Sequence, residues 1–166
     1  MFTGQIDEIG VIEDAGDDRV LIRAAKAAGH AALCVNGVGL AVRHADDGLV
    51  MARLSAETRR RTTFDQLAAG ASVNVETPLA VGDPLAGHLV QGDVDAVGRV
   101  ARIEDDGLAR RMWIKVPDRF VRLVVPKGRI AVDGVSVTVA EVGRDRFSVA
   151  LIPLTLDGTT LGRLTE

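Results

Sequence analysis

The stretch Val35-Asn36-Gly37-Val38 returns 97 positions later as Val132-Asp133-Gly134-Val135. At this offset, nine residues between positions 35 and 67 are identical to their counterparts, without a gap. An earlier segment repeats at an offset of 88, which takes Gly4 to Gly92 and Gly10 to Gly98. Solenoid arrays need three or more short units, so one long two-fold repeat predicts two tandem copies of a small fold.

Composition narrows the class of protein. The 166 residues are 47% hydrophobic and 26% charged, which suffices for two small soluble domains. A net charge of 20 − 23 = −3 argues against a nucleic-acid partner, and the single cysteine, Cys34, indicates a reducing compartment. The chain has no apolar stretch of membrane-spanning length and no N-terminal signal pattern. We therefore expect a cytoplasmic protein without a membrane or nucleic-acid partner.

Short apolar runs rich in valine and isoleucine predict an all-β chain with an antiparallel barrel or sandwich in each copy. Hairpin turns are predicted at four Asx-Gly pairs, which tolerate positive φ. These pairs are Asn36-Gly37, Asp47-Gly48, Asp106-Gly107 and Asp133-Gly134. Short helices are predicted within residues 55–67 and 118–123, and Trp113 is expected in the core. Turn-rich sequence before Gly87-His88 predicts two domains that pack together, residues 1–87 and 88–166.

Several motifs resemble the riboflavin synthase α-chain and lumazine protein family, and they run through both copies in order. They include Met1-Phe2-Thr3-Gly4, Gly87-His88-Leu89-Val90-Gln91-Gly92, Asp133-Gly134-Val135-Ser136-Val137-Thr138-Val139 and Thr159-Thr160-Leu161-Gly162. The resemblance implies two tandem six-stranded Greek-key barrels, each with a shallow site for a ribityl-bearing pteridine or flavin. The family's enzymes convert two 6,7-dimethyl-8-ribityllumazine molecules into riboflavin and a ribitylamino-pyrimidinedione, without a metal or added cofactor.

The first copy and the opening of the second depart from the synthase pattern at positions that the resemblance assigns to the site. Gly39 stands where the synthases have cysteine, Ala41 where they have threonine, and Asp93 where they have histidine. We therefore expect only a weak first-barrel site, at Gly39, Ala41 and Thr58. Asp93 is the candidate catalytic base, with a surface acid as the alternative. His30, His44 and Cys34 lack the spacing of a metal site, so no metal is expected.

The second copy keeps polar residues at the family's binding positions. Ser136 and Thr138 lie two apart on a predicted strand, so their hydroxyls share one face. The site implied there comprises Thr3, Gly4, Gln5, Ile6, Lys127, Val132, Ser136, Thr138, Leu154 and Thr155. The alternatives are hydroxyls that bond only to the backbone and a solvated turn lysine. His88 is interpreted as structural. The expected ligands are 6,7-dimethyl-8-ribityllumazine, riboflavin or FMN.

The first copy's last predicted strand, residues 72–76, would fall on 169–173 in the second copy, beyond Glu166. We therefore expect the second barrel to lack its sixth strand, with its edge covered by another chain or the sequence cut short. The C-terminal helix that the resemblance assigns to trimerisation also lacks a counterpart. A homodimer or a trimer through the open edge is expected.

Three functions stay open at this point. The first is a divergent family member that binds a ribityllumazine or flavin, with synthase activity weak or lost. The second is an active riboflavin synthase, a transferase, or a relative redirected to another flavin or pteridine. The third is a structural partner whose open barrel edge docks another protein.

Overall fold

The computed structural model describes residues 1–27, 29–46 and 48–166. The first half contributes six strands, β1 to β6: Glu8–Ala15, Arg19–Arg23, Ala32–Val35, Val38–Asp46, Leu49–Arg53 and Ser72–Glu76. They form a barrel in the order β1-β2-β5-β4-β3-β6 with antiparallel pairing throughout. The barrel is closed because β6 pairs with both β1 and β3.

The second half contributes five strands, β7 to β11: Arg99–Asp106, Ala109–Lys115, Arg129–Val132, Val135–Val142 and Arg146–Leu151. Their order, β7-β8-β11-β10-β9, repeats that of the first half without a counterpart of β6. Within the described residues, β7 and β9 therefore each have one neighbouring strand. The prediction of two tandem barrels, the second without its last strand, is confirmed. Assembly through this edge stays a prediction.

Three short helices follow strands or loops: α1 (Ala56–Arg61), α2 (Asp118–Val121) and α3 (Pro153–Gly158). Helical 3-10 turns occur at Ala25–Ala27, Thr63–Gln66 and Thr160–Arg163. α1 and α2 lie where the sequence predicts short helices. None of the helices in the described ranges combines the length and apolar character that a membrane crossing requires.

Two hairpin turns bring the halves into contact. Asn36 and Gly37 have φ of 47° and 86°, and Asp133 and Gly134 have φ of 45° and 79°, as two-residue hairpins with the right twist require. A Cβ on Gly134 would lie 2.7 Å from the Gly37 nitrogen, so glycine is also needed for this close approach. Of the other two predicted Asx-Gly turns, the one with Gly107 joins β7 to β8. In the last pair, Asp47-Gly48, Asp47 is outside the described residues.

Burial differs between the two cores. In the first barrel, inward side chains such as Ile12, Ile22 and Leu33 are fully buried. In the second half, Met112 and Val149 are equally buried, but the core is bordered by partly buried side chains next to the open edge, among them Val100, Val116, Ile130 and Val132. The second core is therefore less completely shielded from water.

The expectation that Trp113 belongs to the core is wrong. Its neighbours on β8, Met112 and Ile114, point inward, so the alternation of a strand directs Trp113 outward. The indole is half-buried, and its Nε1 donates a hydrogen bond of 3.1 Å to Glu104 Oε2. An amphipathic indole with a polar partner suits this outer position.

Asn74 on β6 joins the two halves directly, as expected for copies that pack together. Its side chain is fully buried. Its Nδ2 donates to the Asp133 carbonyl oxygen at 2.8 Å, and its Oδ1 accepts from the Thr160 N–H at 2.7 Å. The domain boundary at Gly87-His88 stays a prediction. Phe2 and Val90, which lie on opposite sides of this boundary in the sequence, pair with each other.

Cys34 provides a reactivity test of the contact between β3 and the N-terminal segment, because it is buried with Phe2 and Val90 outside the first-barrel core. Burial, and secondarily the charge of Glu76, raises the pKa of its thiol to about 12. Since the thiolate is the reactive form, we expect no labelling by an aromatic disulfide reagent at pH 8 until the chain is unfolded in urea. An Ala69→Cys variant, with its new thiol at an exposed loop position, should label at once. Equal labelling rates for the two thiols would contradict the burial of Cys34.

Candidate functional site

A polar face lies on the outside of β10. Val135 and Val137 point into the core, so Ser136 and Thr138 point outward. The β9–β10 register places Ala131 opposite Ser136 and Arg129 opposite Thr138. We call these four residues the β10 face. Ser136 is half-buried and Thr138 is exposed.

The N-terminal segment of the first copy lies against this face. The Gly4 carbonyl oxygen accepts a hydrogen bond of 2.8 Å from the Ser136 N–H. Gly4 has φ of +75°, and a Cβ there would lie 2.6 Å from the Ser136 Cβ, so only glycine fits. Ile6 packs against the second core. The structure thus brings Gly4 to Ser136 and Ile6 to the second core, across long stretches of sequence.

Glu76 anchors this segment. Its Oε1 accepts from the Thr3 N–H at 2.6 Å and from the Thr3 hydroxyl at 2.8 Å, and its Oε2 accepts from the Gly4 N–H at 3.0 Å. Burial raises the pKa of the Glu76 carboxyl, while the hydrogen bonds from Thr3 and Gly4 act in the opposite direction. The Thr3 hydroxyl donates to Glu76, so it positions the segment. Gln5, two residues after Thr3, is exposed.

His88 contacts the β10 face through Ser136. Its Nδ1 lies 2.7 Å from Ser136 Oγ, a hydrogen bond in which either group donates according to the imidazole tautomer. Burial, followed by the positive charge of Arg129, lowers the pKa of His88. The imidazole is therefore neutral at neutral pH and retains one donor and one acceptor.

An apolar rim of two exposed side chains, Ile152 and Leu154, stands where β11 ends and α3 begins. The β10–β11 pairing ends at Val139–Val149, and its continuation would place Ile152 opposite Ser136. Ile152 is 55% exposed and Leu154 79% exposed. Exposed aliphatic side chains next to hydroxyls are what a flat heterocycle with a polyol chain requires.

Thr155 supports this rim from within α3. Its N–H donates to the Ile152 carbonyl oxygen at 2.9 Å, and its own carbonyl oxygen accepts from the Thr159 hydroxyl at 2.7 Å. Thr155 is half-buried. These two backbone hydrogen bonds therefore hold α3 in place directly after β11.

Three predicted site residues lie elsewhere. Val132 points to the barrel interior, as the partner of Val135. Lys127 is exposed in the turn before β9, with φ of 63°, and its N–H donates to the Val139 carbonyl oxygen at 2.8 Å. Asp93 is exposed and directly follows Gly92, which belongs to the corresponding face of the first half.

That first-half face, which we call the β4 face, consists of the exposed residues Gly39 and Ala41. The Gly39 N–H donates to the Gly92 carbonyl oxygen at 2.8 Å, which reproduces the Ser136–Gly4 bond. A Cβ on Gly39 would meet its neighbours at 3.5 Å or more, an ordinary contact. Nearby, the Thr58 hydroxyl lies 2.9 Å from Ser55 Oγ on α1. The backbones of the two faces match, but the β4 face has no strand hydroxyl.

Sequence reasoning did not assign Arg129 or Ile152 to the site, and it interpreted His88 as structural. Arg129 could have been found, because a two-residue turn at Asp133-Gly134 fixes it opposite Thr138. The His88–Ser136 contact joins residues 48 positions apart and follows from no local rule.

Comparison with known proteins agrees with this geometry. The family model of the lumazine binding domain matches residues 3–78 and again residues 91–166. Two tandem domains of this type are therefore the class that the fold and the paired faces define.

Riboflavin synthases are similar along the chain. The enzyme of Mycobacterium tuberculosis (strain ATCC 25618 / H37Rv) is 40% identical over 176 residues, covering 98% of this chain and 87% of the relative. That of Actinobacillus pleuropneumoniae is 34% identical over 170 residues, covering 98% and 79%. The chain belongs to the riboflavin synthase and lumazine protein family.

Solved structures of LumP share the fold. LumP complexed with riboflavin superposes with a TM-score of 0.90 at 23% identity, covering 100% of this chain and 95% of LumP. LumP complexed with flavin mononucleotide gives a TM-score of 0.86 at 24% identity, covering 100% and 94%. A third LumP structure contains 6,7-dimethyl-8-(1'-D-ribityl) lumazine.

Replacement of Glu76 by glutamine tests the anchor of the N-terminal segment. An amide offers one acceptor atom, so a donor of Thr3 or Gly4 would face its NH2 group. We expect Glu76→Gln to lower the free energy of unfolding by about 1–3 kcal/mol, the cost of an unpaired buried donor. Urea denaturation measures this value. Glu13→Gln, at an exposed position paired with Arg23, should change it by less than about 0.5 kcal/mol. Equal stability of Glu76→Gln and the native chain would refute the anchoring role.

Proposed function

We propose that this protein binds 6,7-dimethyl-8-ribityllumazine, riboflavin or FMN on the β10 face, and that its riboflavin synthase activity is weak or absent. One observation carries the proposal: the two faces have matching backbones, but only the β10 face has strand hydroxyls. At the internal offset of 97, Ser136 corresponds to Gly39 and Thr138 to Ala41. The ligands of the LumP structures, which share this fold, support the choice of ligands.

The chemistry of the face suits such a ligand. Ile152 and Leu154 offer apolar surface for a flat ring, and the hydroxyls of Ser136 and Thr138 can pair with a ribityl chain. Each buried hydroxyl of the ligand left without a partner would cost about 1–3 kcal/mol. Neutral His88 next to Ser136 adds a donor or acceptor without adding charge. In this proposal, binding needs no metal or further cofactor.

A second candidate is an active riboflavin synthase, a transferase, favoured by the 34–40% identity to riboflavin synthases over nearly the whole chain. In that case Asp93 would act as the general base on the β4 face, since a carboxylate can accept a proton there. Incubation with 6,7-dimethyl-8-ribityllumazine separates the two functions, with ligand fluorescence reporting binding and riboflavin reporting turnover. Binding with little riboflavin supports our proposal. Riboflavin formed as fast as by a synthase run in parallel would refute it.

The internal symmetry supplies a matched pair of variants for the binding site. We expect Thr138→Met to weaken lumazine binding at least about tenfold, because a thioether chain removes a hydroxyl and fills the face. Ala41→Met introduces the same side chain at the equivalent exposed position of the β4 face. That variant should bind within about twofold of the native chain. Fluorescence titration measures both affinities, and the opposite ranking would assign the ligand to the first half.

Restoring the synthase residues tests why activity is weak. The triple change Gly39→Cys, Ala41→Thr and Asp93→His introduces a thiol, a hydroxyl and an imidazole on the β4 face. The first fits, because a Cβ on Gly39 makes only ordinary contacts. We expect riboflavin formation to rise about 100-fold, within the range of positioned acid–base groups.

The equivalent triple change at exposed positions of the first half, Arg43→Cys, Ala69→Thr and Asp18→His, serves as the control and should leave the rate unchanged. A restored variant that binds lumazine but forms riboflavin no faster than the native chain would exclude the loss of these groups as the cause.

A further inference from the structure

Arg129 gives the β10 face a positive charge. It lies opposite Thr138 in the β9–β10 register and is exposed. None of the salt bridges found among residues 1–27, 29–46 and 48–166 includes it. Arginine stays charged at every physiological pH and offers only donors. Within the described chain its guanidinium is therefore open to an anionic ligand.

The surroundings of Arg129 leave this charge in place. His88 is close enough for the arginine to help lower the pKa of the imidazole, after the larger effect of burial, so His88 is neutral at neutral pH. Lys127, two residues before Arg129, is exposed and adds a second positive charge. The Glu76 carboxylate accepts hydrogen bonds from the N-terminal segment. The face is therefore cationic and attracts anions.

The corresponding position of the first half has no charge. The internal offset of 97 takes Ala32 to Arg129, and Ala32 pairs with Ala41 just as Arg129 pairs with Thr138. The β4 face thus lacks a cation as well as strand hydroxyls. Only the β10 face combines hydroxyls with an arginine on the neighbouring strand.

The β9–β10 hairpin determines where Arg129 lies. Its two-residue turn at Asp133-Gly134 fixes the register of the two strands. In the first half, β6 pairs with Cys34 and Val35, which follow the counterpart of Arg129 by two and three residues. The place of Arg129 on the face therefore follows from β9 and β10 alone.

Three kinds of group follow one another across the sheet. Strand β10 lies between β11 and β9. The apolar rim stands at the end of β11, the hydroxyls lie on β10, and Arg129 lies on β9. Neighbouring strands are about 4.8 Å apart, so the rim and Arg129 are separated by about 10 Å or more. A ligand with its ring on the rim would lay its polyol chain along the hydroxyls and bring its far end to Arg129.

We propose that Arg129 is a specificity-determining residue that binds a phosphate group at the end of the ribityl chain, so that the β10 face prefers FMN to riboflavin. This inference rests on the proposed function, because it takes the ligand to lie on the β10 face with its ring on the apolar rim. A guanidinium can donate two parallel N–H bonds to two phosphate oxygens, and such charge-assisted bonds are stronger than neutral ones. Riboflavin ends in a hydroxyl and offers no such charge.

Parallel titrations with FMN and riboflavin measure the preference, since the two ligands share one fluorescent ring. We expect the native chain to bind FMN at least about tenfold more tightly at low salt, as a charge-assisted pair allows. Arg129→Gln should bring the two affinities to within about twofold of each other. The ratio of the affinities is the readout, so a change that affects both ligands equally cancels.

Two further variants separate a specific contact from general attraction. Arg43→Gln, the matched control, removes an exposed arginine from β4 of the first half and should keep the native ratio. Arg129→Lys keeps the charge but not the planar fork of donors, so it should retain only part of the preference. Loss of the preference in Arg43→Gln, but not in Arg129→Gln, would assign the phosphate to the first half and overturn the inference.

Salt provides a test that needs no variant. Exposed charges are screened within about 3 Å at 1 M salt, so raising NaCl from about 0.05 M to about 1 M should lower the FMN preference at least about threefold. A preference that salt leaves unchanged would contradict a charge pair at Arg129.

The outcomes distinguish this inference from the proposed function. Equal affinities of the native chain for FMN and riboflavin would overturn the role of Arg129 and leave binding on the β10 face intact. A preference that Lys127→Gln abolishes and Arg129→Gln preserves would also overturn it. Absence of binding to FMN, riboflavin and 6,7-dimethyl-8-ribityllumazine alike would refute the proposed function and this inference together.

Discussion

Two buried polar side chains of β6 hold the molecule together. Asn74 and Glu76 follow each other at an interval of two on one strand, and both lie almost wholly out of water. Leaving such groups without partners would be costly, and here the side-chain polar atoms of both are paired. Asn74 binds the second half directly, and Glu76 holds the N-terminal segment that reaches the β10 face. The ligand face of the second half thus depends on a strand of the first.

Internal symmetry makes the differences between the halves informative. The Gly39–Gly92 and Ser136–Gly4 hydrogen bonds have the same length, 2.8 Å, so the backbone scaffold of both faces is the same. At these two faces, the halves differ in the side chains that β4 and β10 display. The β4 face has the same backbone geometry as the β10 face, but its glycine and alanine provide no hydroxyl group. This separates the two faces in physical terms, because a ribityl chain needs hydroxyl partners and proton transfer needs titrating groups, and Gly39 and Ala41 provide neither.

The fold could be predicted in most of its elements, because the signals are local. Two-residue Asx-Gly turns fix both the hairpins and their register, and an offset of 97 transfers β3, β4 and β5 to β9, β10 and β11. The site was harder to predict from the sequence. Ser136 and Thr138 follow from period-two alternation, but His88–Ser136 and Gly4–Ser136 are long-range contacts that only the folded chain creates. The prediction for Trp113 was wrong because its aromatic character suggested burial, whereas its position on β8 directs the side chain outward.

The open edge also sets where the molecule is weakest. In the first barrel β6 closes the wall, and inward residues such as Leu33 and Val75 are inaccessible. In the second half, the residues that correspond to the start of β1 form no strand, and core side chains such as Val100 and Ile130 stay partly exposed. Local opening is easiest where apolar contacts and paired backbone groups are fewest. Any molecule that binds only the folded second half therefore stabilises it by mass action. The second half, which carries the Ser136 and Thr138 hydroxyls, is therefore also the half that ligand binding stabilises most.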